Sequence, residues 1–476
     1  MRTWWRYTRS MLMSRPTDQE LAAQLPAYAE SVVRALERAG HEAWVVGGWV
    51  RDAIMGNPSH DVDVCTSAPW QETERVLRAA GIEVHETGTK HGTVTAVVDG
   101  LPVETTTYRV EGTYSDLRHP DEVRFVTDVR EDLARRDFTV NAMAFHPKRG
   151  LLDLFGGVED LEAGVIRCVG DPRARFGEDA LRVLRAVRFA ARMGFVVEPA
   201  THEALVACAG ELSHIAQERI GQEVDGILAS GRMGWALMAE TEVMCAAIPE
   251  LAPMVGFDQQ SVYHAYDVFE HTSRVCQGVE AFCGGIPSRE LRWAALLHDV
   301  AKPQTFSVDA SGRGHFFGHP EAGAKAARRV MGRLAIPNDV ARAAEALIRL
   351  HDRPMTPTTK SVRRTLVKLE QLCPGRATSL AFDLLDLKRA DSLAKAPEHR
   401  DYAIEVGSIG EVLRREVAAG PTLSVRDLAV GGGDVIRERG MVPGPGVGLV
   451  LDSLLSQVVA GELENSREAL LAALRM

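Results

Sequence analysis

Two aspartates one residue apart, Asp61 and Asp63 in HDVDVCT, carry the first chemistry legible in this chain. In a strand, side chains at i and i+2 share a face, so both carboxylates stand together while Val62 and Val64 face inward. Adjacent carboxylates repel unless a cation lies between them, and hard oxygen donors suit Mg²⁺. A bare pair of this kind is most often a solvated strand edge. Here it follows an apolar run (Trp44, Val45, Val46), a Gly47-Gly48 turn and Arg51. Gly48 lets backbone approach a bulky anion, and Arg51 is a cation of the kind that binds phosphates. Metal site, anion cradle and phosphate cation thus fall in one short stretch. Glu104, on a strand further along, is either a third metal carboxylate or a surface residue; the sequence leaves both open.

A second group is built on arginine. In EDLARRDFTVNAMA, Arg135, Arg136 and Asp137 abut Phe138, Val140 and Met143, which read as an apolar helix face. Arg136 is the candidate to reach a triphosphate. In GEDALRVLRAVRFAARM, Asp179, Arg182, Arg185 and Arg188 recur every third residue, a ridge on one helix face opposite Leu184, Val187 and Ala191. The ordinary reading is a surface helix laced by i, i+3 ion pairs. The alternative is base recognition. Adenine and cytosine each present an amino donor beside a ring-nitrogen acceptor; guanine and uracil present the reverse. An Asp acceptor beside an Arg donor matches the first two bases and mismatches the others, at about 1–3 kcal/mol per unpaired buried group. Asp179 and Arg182 have that spacing. Arg185 and Arg188 lie further along the ridge, placed for phosphates.

A third group is His271 in FEHT, His298-Asp299 in LLHDVAK, His319 in FFGHPEAGA, His351 in LIRLHDR and Asp391 in RADSLA. Imidazoles and carboxylates in or beside apolar helical segments suit a transition metal.

These groups need elements to hold them. The 476 residues exceed one ordinary core and suggest several domains. Net charge is −10, so a nucleic-acid partner would be met by local basic patches such as Arg167–Arg192. Seven scattered cysteines without CxxC pairs exclude a disulfide framework and fit a reducing cytosol. No apolar run reaches membrane-spanning length. The first residues lack a signal peptide's apolar core and are expected to be a disordered extension over residues 1–20. Leu21–Ala39 reads as one amphipathic helix, Val50–Met55 as the start of another, His60–Cys65 as a strand and Trp70–Ala80 as a helix. His91–Val98 and Leu101–Tyr108 form a hairpin turned at Asp99-Gly100. Tyr108–Val126 lacks periodicity and reads as a mobile loop. Leu151–Cys168 reads as a hinge or a short β-turn connection out of the head, after which the pattern is helical almost throughout.

GGWVRDAIMG with DVD, YRVEGTYSDLRHPDEVRF, DLARRDFTVNA, DLFGGVEDL and EDALRVLRAVRF follow one another in an order that closely resembles the bacterial class II tRNA nucleotidyltransferases. That group holds the CCA-adding enzymes and bacterial poly(A) polymerase. The resemblance implies an α+β, polymerase-β-like head (21–155), then a mostly α-helical neck (156–258), HD body (259–400) and tail (401–476) that binds tRNA. It implies Mg²⁺ on Asp61 and Asp63, nucleotide contacts from Gly48, Arg51 and Arg136, base reading by Asp179 and Arg182, and a nucleotide site completed by Arg185 and Arg188. The 109–124 stretch matches the flexible loop of members that add the final A. The implied partners are a tRNA 3′ end, ATP and CTP. Poly(A) polymerase and an HD-type phosphohydrolase with an RNA-binding N-terminal half are the alternative readings. The order H…HD…H…H…D resembles the HD phosphohydrolase domain. This implies a divalent metal held by His271, His298, Asp299 and Asp391, with His319 and His351 able to admit a second. Such a centre is either hydrolytic or a relic that shapes the body.

Overall fold

The computed structural model describes residues 15–57, 59, 61–112, 123–282 and 285–476. The chain forms two compact units, Met1–Ile215 and Ala216–Met476.

The first unit begins with two helices. Thr17 and Glu20 form a reciprocal capping box on α1 (Asp18–Gln24), so ordered structure starts inside the expected extension. Pro26 then separates α1 from α2 (Ala27–Arg38), because proline cannot donate the helical hydrogen bond. The single helix expected over Leu21–Ala39 is therefore two.

A seven-stranded mixed sheet follows, in the order β3-β4-β5-β2-β1-β8-β9. Its strands are β1 (Ala43–Val46), β2 (Asp63–Thr66), β3 (Glu83–Gly88), β4 (Thr93–Val98), β5 (Leu101–Thr107), β8 (Met143–His146) and β9 (Gly150–Asp153). Helix α3 (Gly48–Ile54) joins β1 to β2, and α4 (Trp70–Ala79) joins β2 to β3. Asp99 and Gly100 both have positive φ, the backbone a two-residue hairpin turn needs. The stretch expected to be a loop instead begins and ends in a ladder: β6 (Arg109–Glu111) pairs antiparallel with β7 (Val123–Phe125). The loop tip, 113–122, lies outside the described residues.

Two further stretches depart from expectation. Helix α5 (Val129–Ala134), capped by Asp128, stops before Arg135. Phe138 and Val140 are buried in a turn leading into β8, not on a helix. The run Met143–His146 is wholly buried and fits a central strand beside β1 better than an amphipathic helix. The expected hinge is ordered too, comprising β9, α6 (Gly157–Ala163) and β10 (Val165–Ile166). After these come α7 (Pro172–Glu178), α8 (Leu181–Met193), the short β11 (Val196–Val197) and α9 (Pro199–Cys208).

The second unit is almost wholly helical. Helices Val268–Phe282, Arg289–Leu297, His319–Arg333, Asn338–Leu350 and Ala377–Leu393 form its body. Its C-terminal helices, among them Pro445–Ala460 and Arg467–Arg475, enclose a separate apolar cluster around Val435, Leu454 and Leu470.

Candidate active site and metal centre

The antiparallel β1–β2 register sets Val46 opposite Asp63, so the end of β1 and the start of β2 are neighbours. The Gly47-Gly48 turn therefore leaves the sheet beside the aspartates. On its other side Asp63 lies in parallel register with Glu104 of β5. Asp61 is exposed and precedes the strand, which starts at Asp63, not at His60; His60 itself lies outside the described residues. Burial, then repulsion from Asp61 and Glu104, pushes the Asp63 carboxyl up to about 6 against the pull of Arg136. A carboxyl raised in this way by neighbouring acids is one that a hard divalent cation would relieve. Asp61 and Asp63 are donors of the type that suits Mg²⁺, and Glu104 stands opposite Asp63 across the β2–β5 ladder.

Gly47 has φ +70°, and a Cβ there would stand 3.0 Å from Arg136 Nη1. The positive φ favours glycine here, and the guanidinium lying against it leaves little room for a side chain. Arg136 Nη2 donates to Asp132 Oδ2 at 3.3 Å, while its Nε is buried with no partner. Asp132 is fully buried. Burial would raise its pKa, but Arg135 and Arg136 outweigh that and hold it below the usual carboxylate range. It also accepts from Arg135 Nη2 at 2.8 Å and from the Arg109 amide, in β6, at 3.3 Å.

Arg51 is placed otherwise than its motif suggests. It is only 4% exposed. Its Nε donates to Asp52 Oδ1 at 2.7 Å and its Nη1 to Asn141 Oδ1 at 2.6 Å. It lies near Gly48, where a Cβ would be 3.8 Å from its Nη2. Asn141 Nδ2 in turn donates to Asp137 Oδ1 at 3.3 Å, and Asp137 Oδ2 accepts from Arg185 Nε at 2.9 Å and Nη2 at 2.7 Å. A polar chain Arg51–Asn141–Asp137–Arg185 thus ties α3 to α8.

The expected Asp179–Arg188 ridge is broken. Asp179 has extended backbone (φ −139°, ψ 105°) and ends α7, so only the three arginines lie on α8. Asp179 Oδ1 accepts from the Leu181 amide at 3.0 Å, the local bond by which aspartate competes with a continuing helix. Asp179 and Arg182 remain one turn apart, since the Arg182 amide donates to Asp179 O at 2.9 Å. Arg182 pairs with Glu178 and also donates to Arg175 O at 3.1 Å. Arg185 is held by Asp137, and Arg188 lies over the Phe189 ring at 4.6 Å. Instead of standing clear in solvent, the arginines of α8 are tied to neighbouring acids and to Phe189. The sequence signals for Asp132, Asp137 and Glu178 were present, each acid lying next to or one helical turn from an arginine. Their pairings were not.

In the second unit, all six predicted donors converge. His271 Nε2 is 3.0 Å from Asp391 Oδ1 and 3.6 Å from Asp299 Oδ2. His298 Nε2 is 3.2 Å from Asp299 Oδ2. His319 Nε2 and His351 Nε2 lie 3.5 and 3.6 Å from Asp299 Oδ1 and 3.3 Å from each other. The donors separate into two triads, His271–His298–Asp391 and Asp299–His319–His351, each with ligand atoms within 4.8 Å. Asp299 turns Oδ2 towards His271 and His298 and Oδ1 towards His319 and His351, so the expected set His271, His298, Asp299 and Asp391 lies together with the other two histidines beside it. Nδ1 of His298, His319 and His351 each meets a backbone carbonyl, of Ala295, Phe316 and Ile348, at 2.6–2.9 Å. A proton fixed on Nδ1 leaves Nε2 as the lone-pair donor, the arrangement metal-binding histidines use. His298 Nε2 and both Asp299 oxygens are buried without a geometrically good hydrogen bond. The set fits two borderline divalent ions. Lys302 Nζ, 2.8 Å from Asp299 Oδ2, and Lys395 Nζ, 2.9 Å from Asp391 Oδ2, balance the carboxylates; neither was singled out from sequence.

A mixed sheet with carboxylates beside a Gly-Gly turn and a partnerless guanidinium nitrogen, together with a helical histidine–aspartate body, defines a nucleotidyltransferase head joined to an HD-type domain. Residues 43–167 match the family described as "Poly A polymerase head domain", and residues 263–396 match "HD domain". Residues 194–255 match "Probable RNA and SrmB- binding site of polymerase A". CCA-adding enzymes of Leuconostoc mesenteroides and Geobacillus thermodenitrificans are 32% and 34% identical to the chain. Each alignment spans 93% of it, and 94% and 95% of those proteins. The solved CCA-adding enzyme of Bacillus stearothermophilus in complex with CTP is 30% identical, with a TM-score of 0.69 over 94% of this chain and 96% of that one. The Thermotoga maritima CCA-adding enzyme complexed with tRNA shares the fold, at 19% identity and a TM-score of 0.58. The chain belongs to the CCA-adding enzyme family.

Proposed function

We propose that this protein adds C, C and A in turn to the 3′ end of tRNA, drawing on CTP and ATP and releasing pyrophosphate. The observation that carries the reading is the meeting of Asp61, Asp63 and Glu104 with the Gly47 turn and Arg136. Asp61 and Asp63, with Glu104 beside them, would hold Mg²⁺, which when bound lowers the pKa of an attacking hydroxyl and neutralises a triphosphate. The rest of the site positions. The Arg136 Nε is a donor that no protein acceptor takes, and Asp132 keeps its guanidinium aimed. Gly48 allows backbone to approach the nucleotide. Arg51 acts from beneath the turn, adding positive potential and anchoring Asn141, so its part is indirect. Asp179 and Arg182 remain our candidates for reading the base, with Glu178 orienting Arg182. Arg185 and Arg188 bear on the nucleotide through the rigid surface they form with Asp137 and Phe189. Orientation and charge complementarity supply the catalysis, with no covalent intermediate.

Incubating tRNA that ends at the discriminator base with CTP and ATP, then sequencing the 3′ ends, tests this. A three-nucleotide CCA end is expected. A long A tract would mark a poly(A) polymerase, which the relatives do not favour. Asp61→Ala with Asp63→Ala should abolish incorporation while tRNA still binds.

We further propose that the two triads of the second unit bind divalent transition-metal ions, and that the chain divides functionally into head, neck, HD body and tRNA-binding tail. No helix among the described residues is long and apolar enough to cross a membrane. We place the protein in the cytosol, where its scattered cysteines stay reduced.

A further inference from the structure

Lysine is rarely buried, because its ammonium must recover inside the protein the hydration it loses. Lys388 is 4% exposed. Its Nζ donates to the carbonyl oxygens of His351 at 2.5 Å and Arg353 at 2.7 Å. Those carbonyls belong to the end of helix Asn338–Leu350 and the turn after it, where helical acceptors have no partner within the helix. Lys388 lines a small pocket with Leu350, Arg353, Met355, Thr365 and Leu384 that has no room for a water molecule. Tyr402 makes a parallel tie, its hydroxyl donating to Met355 O at 3.1 Å.

Lys388 is also one helical turn from Asp391 on the same helix, Ala377–Leu393, so the two project from one face. Asp391 belongs to the His271–His298 triad, while the carbonyl Lys388 grips is that of His351, in the other triad. The His351 ring is in turn pinned to the last turn of its own helix, Nδ1 to Ile348 O at 2.6 Å. Moving that helix end therefore moves the ring. Gly278 lets helix Val268–Phe282, which carries His271, press on Ala390; a Cβ at Gly278 would come 3.0 Å from the alanine methyl. A single turn of Ala377–Leu393, residues 388–391, thus abuts both the His271 helix and the end of the His351 helix.

We propose that Lys388 is a positioning residue that sets the second metal triad against the first, clamping the end of the His351 helix to the helix that carries Asp391. This rests on the reading that both triads bind metal. Lys302 and Lys395 differ in kind, since they neutralise carboxylates and hold no backbone.

The test is metal stoichiometry on the full chain. Protein is loaded with Co²⁺, desalted and counted by mass spectrometry, and the visible cobalt bands report the geometry of each ion. Wild type is expected to hold two ions. Lys388→Met, close in volume, is expected to hold the Asp391-side ion and lose the other, its affinity falling at least tenfold, with the bands of one site gone. Lys388→Arg should restore the second ion. Wild type without metal would overturn the metal-site reading itself. Wild type with two ions and Lys388→Met also with two would overturn only the role of Lys388. If Lys388→Met does not fold, a folded Lys388→Arg that binds one ion overturns the proposal, and one that binds two supports it.

Discussion

Replacing Asp63 by asparagine should stabilise the first unit of the metal-free protein, and the gain should depend on pH. Asp63 is raised from its ordinary 3.8 to about 6, by burial first and then by the fields of Asp61 and Glu104. Folding then favours the protonated form. Well below pH 3.8 the group is neutral in both folded and unfolded chains and costs nothing. The penalty builds as pH rises from 3.8 and is complete above 6. The difference is worth about 3 kcal/mol at pH 8 and about half of that at pH 5. Asparagine keeps the shape and removes the charge, so it should recover most of this. In a unit of this size that is roughly 5–10 °C in melting temperature. The assay is thermal unfolding of wild type and Asp63→Asn, followed by the head's tryptophans in EDTA, from pH 5 to pH 8. Adding Mg²⁺ should raise the melting temperature of wild type at pH 8 and leave Asp63→Asn largely unmoved. A stability difference that is absent at pH 8, or the same at pH 5 and pH 8, would refute the reasoning.

Asp132→Asn should lower kcat/KM for both nucleotides by about 10–100-fold, since charge-assisted bonds of about 1.5–3 kcal/mol orient Arg136; single-turnover incorporation checks it, and an unchanged rate would remove Asp132 from the site. Asp179→Ala should relax base choice, read as UTP and GTP misincorporation; continued exclusion of both would contradict base reading by Asp179 and Arg182. His298→Ala should remove cobalt binding from the second unit and spare CCA addition, measured on the same preparation. Loss of CCA addition in a folded His298→Ala protein would mean that the two activities are coupled.

Much of the head was legible because its chemistry is local. The DxD pair, the Gly47 turn and the Asp99-Gly100 hairpin each follow from a few consecutive residues and the backbone they demand. Fold class came from the family resemblance that the ordered motifs carry. Errors arose where a short apolar run had two readings. Phe138–Met143 has helical spacing, but a place beside β1 made part of it a strand. The α7–α8 break was hidden because Asp179 fits a helical i, i+3 pattern, yet it ends α7 and its side chain accepts from the Leu181 amide. The motif assigns Arg51 to phosphate; its protein partners, Asp52 and Asn141, are set by the fold.

Residue types and short spacings marked the candidate groups for metal, nucleotide and base, and the order of histidines and aspartates carried the resemblance to an HD body after the head. Tertiary structure alone decided their partners. Asp137 meets Arg185 across 48 residues, and His271 meets Asp391 across 120. Asp63 meets Glu104 only because β2 and β5 run in parallel register. A buried charge must be paired by whatever the fold brings within reach. The donors are written along the chain, but which of them neutralises, orients or competes with another is set by the packing of elements far apart in it.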